Sequence, residues 1–394
     1  MFPRYDADQH LVSALKADFM TLVDDEHVSG ESVTILFYNS NQTPSGQVNL
    51  AHAMFNQVKG TLKANELVTL NSDRITARGY GLNYSLEKSE GFLSGPVATL
   101  IQAPIETTMN SCQSPLRATS ILGISLLMLP VSANPPSVPT ATERDAIQAD
   151  AASGVPIHTE GIKITKATLR EDLTASAAAT AAAKEFIEHA ELLEGDPQPL
   201  PTSEDPKPLD IKPGPKDTLI TCDGGMYFDA DNGVLVYLKN VRVTDPRFDL
   251  SGANEMKVFL SKKPETPGKP GENTNKPSRA STTTTDESSG KDKLGLGAKF
   301  GDVDRIVATG AVRVLQKEVE PGKQPVEASG AIFTYHPKDG QIILSGGYPW
   351  VKQGTSFMRA KEPQLVLRIQ KTGAFVTEGN WEMGGRIDQV EKHH

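Results

Sequence analysis

Apolar and polar positions alternate along two long stretches of this chain, residues 1–106 and 217–388. Alternation of that kind places every second side chain on one face of a strand. In Leu365-Val-Leu-Arg-Ile369, Leu365, Leu367 and Ile369 share a face opposite Arg368. In Glu255-Met-Lys-Val-Phe-Leu260, Met256, Val258 and Leu260 share a face opposite Glu255 and Lys257. Val241 and Val243 flank Arg242, and Val312 and Val314 flank Arg313. Val33-Thr-Ile-Leu-Phe-Tyr38 and Leu67-Val-Thr-Leu70 have the β-branched and aromatic composition of strands, punctuated by turn signals such as Thr43-Pro-Ser-Gly46. The pattern predicts an all-β protein of antiparallel strands with one apolar and one polar face.

Three stretches repeat one motif. The first is Ile75-Thr-Ala-Arg-Gly79, then Tyr84, then Gly91-Phe-Leu-Ser-Gly95-Pro-Val97. The second is Ile220-Thr-Cys-Asp-Gly224, then Tyr227-Phe228, then Asn232-Gly233-Val-Leu235, ending at Asn240-Val-Arg-Val243. The third is Val326-Glu-Ala-Ser-Gly330, then Phe333-Thr-Tyr335, then Asp339-Gly-Gln-Ile-Ile-Leu344-Ser-Gly346. Half-repeats lie between them, at Phe248–Gly252 with Met256–Leu260 and at Ile306–Gly310 with Val312–Val314. Asn-Gly and Asp-Gly are strong hairpin signals, because a type I′ turn needs positive φ. A glycine within a strand marks a bend or bulge. Glycines at this recurrence predict a sheet that bends at the same height on every pass, rolled or V-shaped.

This motif of strand, glycine, aromatic strand, turn and glycine resembles the OstA-type domain of the lipopolysaccharide-export proteins LptA and LptC. The resemblance covers about 60–100 as an LptC-like module and most of 217–388 as an OstA/LptA-like module. It implies a twisted antiparallel β-jellyroll whose apolar interior holds lipid A acyl chains. It also implies open ends that pair edge to edge with other Lpt-type jellyrolls, an inner-membrane ABC transporter as a further partner, and a place in the periplasm or envelope of a Gram-negative-type bacterium. The inward positions expected to meet lipid are Val241, Val243, Met256, Val258, Leu260, Ile306, Val312, Val314, Phe333, Ile342, Leu344, Leu365, Leu367 and Ile369. Ordinary core packing is the competing reading for each. Free edges are expected near Leu219–Cys222 and Phe375–Trp381, with Trp350 and Trp381 as interface anchors or packed core residues.

Residues 107–216 read as linker. An apolar run, Ala118–Ala133, follows Arg117 and ends in small residues, the order of a signal peptide. As a helix it would span about 24 Å, short of a hydrocarbon core. A signal-like segment or short inner-membrane anchor, a buried core helix and a misjoined reading frame all remain open readings. The family's anchors and signals lie at the N-terminus, so an internal one suggests a fusion of an LptC-like with an LptA-like half. A helix is expected from Leu169 to about Glu194, with Thr168 and Glu171 as capping box and Gly195 as stop. Its alanine-rich middle, with a thin apolar face, reads as a spacer. Seven prolines in 196–216 and a polar stretch, 261–293, whose one apolar residue is Ala280, predict an extended connector and a disordered insertion.

Composition narrows function by exclusion. Forty basic against 49 acidic residues give a net charge of −9, which disfavours nucleic acid as a partner. The two cysteines, Cys112 and Cys222, are too few for a disulfide framework or a zinc site; unrelated thiols or one long-range bridge remain. Asp229-Ala-Asp-Asn-Gly233 lacks the glycine and acid of a calcium loop at Val234 and Asn240, and reads as a hairpin turn. No zinc-protease, phosphate-loop or nucleophile-elbow motif occurs, and Asp24-Asp25-Glu26 reads as a solvated turn. The expectation is a non-catalytic protein without cofactor or metal. A structural β-repeat scaffold or adhesin and a carbohydrate-active enzyme are the competing classes.

Overall fold

The β-branched and aromatic runs do become strands. The structure is a computed structural model that describes residues 2–6, 8–39, 42–103, 157–191, 211–261, 302–317, 324–370 and 375–385. The apolar run 118–133, Cys112, most of the proline-rich stretch and nearly all of 261–293 lie outside the described residues. The described strands and the helix from Leu169 onward belong to one compact unit, Met1–Ala103 with Leu169–His394. Of the second unit, Pro104–Thr168, residues 104–156 lie outside the described residues.

The first stretch holds β1 (Phe2–Tyr5), β2 (Leu11–Lys16), β3 (Phe19–Leu22), β4 (His27–Tyr38), β5 (Pro44–Asn56), β6 (Thr61–Ser72), β7 (Ile75–Ser85), β8 (Glu90–Leu93) and β9 (Val97–Ile101). A helix, α1 (Ile157–Glu191), follows. The second stretch holds β10 (Thr218–Cys222), β11 (Met226–Asp229), β12 (Val234–Thr244), β13 (Phe248–Leu260), β14 (Val303–Gln316) and β15 (Val326–His336). It ends with β16 (Gln341–Ser345), β17 (Trp350–Gln353), β18 (Ser356–Ala360), β19 (Val366–Ile369), β20 (Phe375–Thr377) and β21 (Trp381–Gly384). All of these strands join one antiparallel, jellyroll-like sheet.

Long strands alternate with pairs of short ones, and this forks the sheet. The two halves of β7 pair with β8 and β9. Those in turn pair with β11 and β10, and both of these pair with β12. Likewise β15 pairs with β16 and β17. The breaks between short strands carry the repeat's glycines: Gly95 between β8 and β9, Gly224 between β10 and β11, Gly346 between β16 and β17. Within the unbroken strands the bend appears as a register shift instead, at Ser251/Ala253 on β13 and Thr309/Val312 on β14. Gly252 (φ 74°) and Gly310 (φ 137°) sit there. A Cβ on Gly252 would stand 2.1 Å from the Ala311 carbonyl oxygen, so no other residue fits without moving the backbone. The expected hairpin turns form at Gly233 (φ 66°) and Gly340 (φ 61°).

The helix begins earlier than expected, at Ile157 rather than Leu169, so Thr168 and Glu171 lie inside it and form no N-cap. The expected Leu219–Cys222 edge is also corrected. β10 pairs with β9 on one side and β12 on the other, so the first stretch runs into the second without a free edge. Five consecutive residues of β10 pair with β9, from Thr218↔Ile101 to Cys222↔Val97.

Candidate functional site

Inward-facing side chains from both stretches form a single apolar cluster, from Leu15 on β2 to Ile369 on β19. Twelve of the fourteen expected inward residues belong to it: Val241, Val243, Met256, Val258, Leu260, Ile306, Val312, Val314, Phe333, Leu344, Leu367 and Ile369. They range from fully buried to 8% exposed. Ile342 is half-buried against the cluster. Leu365 precedes β19, is half-buried, and is not among the cluster's residues. It lies before the strand begins, with its side chain against Gly379, where an added Cβ would stand 2.5 Å from Leu365 Cδ2.

Where β8 and β9 meet β11 and β10, the interior is filled with rings. Tyr84 stacks on Phe228 at 6.1 Å between centroids and meets Phe37 edge-on at 6.1 Å. Tyr237, on β12, is fully buried in the same cluster. Burial pushes the Tyr84 and Tyr237 phenols well above their ordinary range. These rings form a seam between the interiors of the two stretches. Gly91 makes room for them, since a Cβ there would lie 2.4 Å from Phe228 Cζ.

The outer face of the central strands is not simply solvated. Phe92 on β8, Tyr227 on β11, Val236 on β12, Phe259 on β13 and Val307 on β14 point outward, and α1 covers them. Its buried positions, Leu169, Asp172, Ser176, Ala179, Ala183 and Ala190, are spaced by three, four or seven residues and so share one face. Phe186 packs on Tyr227 with 5.7 Å between ring centroids. At the other end, buried Asp172 faces Arg305 Nε at 3.4 Å and His336 Nε2 at 3.3 Å. Midway, Thr180 donates a 2.7 Å hydrogen bond to Glu255, which also pairs with Lys257 at 3.0 Å. Lys257, expected on a solvated face, is therefore buried beneath the helix, and burial lowers its pKa. The helix is more than a spacer.

A second charged cluster closes the β12–β13 turn. Asp245 binds Arg247 at 2.9 Å and accepts the Thr218 hydroxyl at 2.7 Å, and Arg247 reaches the Tyr335 hydroxyl. Burial alone would raise the Asp245 pKa, but these bonds hold it below its ordinary 3.8. Asp229 accepts from the backbone nitrogens of Asp231 and Asn232 at 3.0 and 2.8 Å, which makes that segment the expected turn. Among the described residues no group of three or more His, Cys, Asp or Glu side chains is placed to hold a metal.

No family model matches the chain, and no curated protein matches it. Among solved structures it is similar to LptH from Pseudomonas aeruginosa, described as the LptA homologous periplasmic component of the conserved lipopolysaccharide transport device. The likeness has 14% identity and a TM-score of 0.30, covering 43% of this chain and 95% of that one.

The sheet ends in edges. Among the described residues β3 pairs with β4 alone, and it exposes Phe19 (69%) and Leu22 (65%). At the other end β20 pairs with β19 and β21 with β18, so the expected Phe375–Trp381 edge is present. Trp381 leans on the core and donates its indole N–H to the Glu378 carbonyl, while Trp350 is half-buried opposite Arg359. The apolar β3 edge went unnoticed in the sequence, where Phe19-Met-Thr-Leu22 is too short to show alternation. No helix among the described residues is long and apolar enough to cross a membrane.

Proposed function

We propose that this chain is a non-catalytic envelope protein that binds lipopolysaccharide acyl chains along the inner face of its rolled sheet and passes them to like-folded partners. The observation that carries the reading is the single apolar cluster continuous through both stretches. Burying an acyl chain there gains roughly 0.8 kcal/mol per CH₂, enough for binding without specific polar contacts. The open β3 and β20–β21 edges supply backbone groups for strand addition by such partners. In this reading the periplasm is the site of action, and an ABC transporter is the upstream source of lipid.

The described interior is filled by the chain's own side chains, so an acyl chain must displace them. That close packing also favours a second reading, a structural β-repeat scaffold without cargo. A photo-crosslinking residue at Val258 or Leu367 separates the two. The transport reading expects capture of lipopolysaccharide in cells. Efficient crosslinking to neighbouring strands with no lipid adduct at either position would overturn it.

A further inference from the structure

The wall of the rolled sheet is closed unevenly. Most neighbours along it are held by ladders of backbone hydrogen bonds. β1 is held by a ladder on one side, four pairs with β2 from Phe2↔Leu15 to Tyr5↔Leu11, with a register shift before Tyr5. Pro3 removes one donor from that short ladder. On its other side β1 faces the β7–β8 and β11–β12 turns, and among the described residues no strand pairing joins them. What bridges that gap is a side chain. Arg4 points inward, donates to the Ser89 hydroxyl and pairs with Asp231 at 3.5 Å. The two turns are themselves tied by Ala230 N–H to the Ser89 carbonyl at 3.1 Å, so the far side of the clasp is fixed.

Behind the clasp lies the apolar interior. Phe2, next but one to Arg4, packs on Phe55 at 5.3 Å and lines a shallow apolar pocket with Leu15, Val28, Val33 and Leu62. A half-exposed ion pair with one hydroxyl bond is weak beside a multi-bond strand ladder. The closure at Arg4 is therefore weak, and the apolar pocket lined by Phe2 lies two residues along the same strand.

We propose that β1 is a strap across the side of the roll, latched by Arg4 to Asp231 and Ser89, and that its release admits a fatty-acyl chain to the interior. The ligand class rests on the transport reading above; the strap itself rests on the geometry. It accounts for how a filled interior takes up a chain without unfolding: Phe2 leaves the pocket as β1 swings, and the incoming chain takes its place against Phe55. The competing role for Arg4 is an inward-pointing edge charge that stops β1 from adding a strand of another copy.

Two measurements on the full chain decide between them. Hydrogen–deuterium exchange reads the strap without any ligand. Arg4→Ala is expected to speed exchange in residues 2–16 about three- to tenfold, with 44–72 unchanged. Arg4→Asp is expected to act likewise, and Arg4→Asp combined with Asp231→Arg to restore slow exchange. Stopped-flow uptake of 11-(dansylamino)undecanoate is expected to accelerate in the same order. Unchanged exchange of 2–16 in both single variants overturns the strap. Dimerisation of Arg4→Ala on size exclusion, without faster exchange, overturns it in favour of the edge guard. Faster exchange with no probe uptake by any variant overturns the acyl-chain reading and leaves β1 a strap without that cargo.

Discussion

Gly91 offers the sharpest test of whether the two stretches share one interior. Replacing it with alanine places a methyl 2.4 Å from Phe228 Cζ and 2.5 Å from Cε1, with Tyr84 Cδ2 at 3.1 Å. The ring cannot yield easily, because Phe228 is fully buried and stacked on Tyr84. Overpacking of this kind costs about 1–3 kcal/mol. Phe228→Leu removes the atoms that clash and costs about 1–2 kcal/mol alone through lost packing. The double variant should therefore fall short of the sum by about 1 kcal/mol or more, since the two changes meet at one contact. Urea unfolding followed by tryptophan fluorescence suits the question. Both tryptophans, Trp350 and Trp381, lie in the second stretch, whereas Gly91 lies in the first. If the seam couples the stretches, Gly91→Ala lowers the midpoint of the tryptophan transition. A midpoint unmoved by Gly91→Ala, with circular dichroism showing separate early loss of strand signal, would refute a shared interior. Additive single-variant effects would refute the Phe228 contact itself.

Acid should expose the Asp245 cluster. The carboxyl sits below its ordinary 3.8, so its stabilisation is complete above that value and fades as pH falls through the lowered one. Asp245→Asn should cost about 1–3 kcal/mol at neutral pH, and the difference should start to shrink near pH 3.8 and become little only below the lowered value, read as urea midpoints across pH. Beneath α1, Ala183 is 1% exposed against the sheet. Ala183→Glu should undock the helix and speed exchange of peptides carrying Tyr227 and Val236 while the inner core stays protected; unchanged exchange there would argue against docking.

What could be read from the residues depended on whether the signal was local. The inward faces of β12, β13 and β14 follow from strict alternation, and twelve of the fourteen residues picked that way lie in the cluster. Leu365 failed because alternation does not show where a strand begins. The bends were legible because positive φ demands glycine, and Gly252 and Gly310 supply it. Helix docking was legible in principle. Tyr227-Phe228, Val258-Phe259-Leu260 and Ile306-Val307-Ala308 are unbroken apolar runs, the mark of strands covered on both faces. The alanine-rich face of α1 concealed its partner, because close backbone approach needs small side chains and leaves little hydrophobic signal. The β9–β10 junction was not legible. More than a hundred residues separate its strands, and nothing in Leu219-Ile-Thr-Cys222 distinguishes a strand paired on both sides from an edge.

That junction changes what transport through this chain would require. Two modules with separate ends would hand cargo across a gap between open mouths. Here the interiors are continuous, and in the transport reading the handover point would be the seam of Phe37, Tyr84 and Phe228. An acyl chain moving from the first stretch to the second must turn those rings aside. The strap and the seam also share Ser89, which binds Arg4 at the rim and lies beside the buried Tyr84 hydroxyl. Arg4 uses only a lone pair of that hydroxyl, which leaves the Ser89 proton available to the phenol, whose burial carries a desolvation cost. In the transport reading, an acyl chain admitted at β1 would therefore meet the seam next, at the Tyr84 ring that Ser89 neighbours.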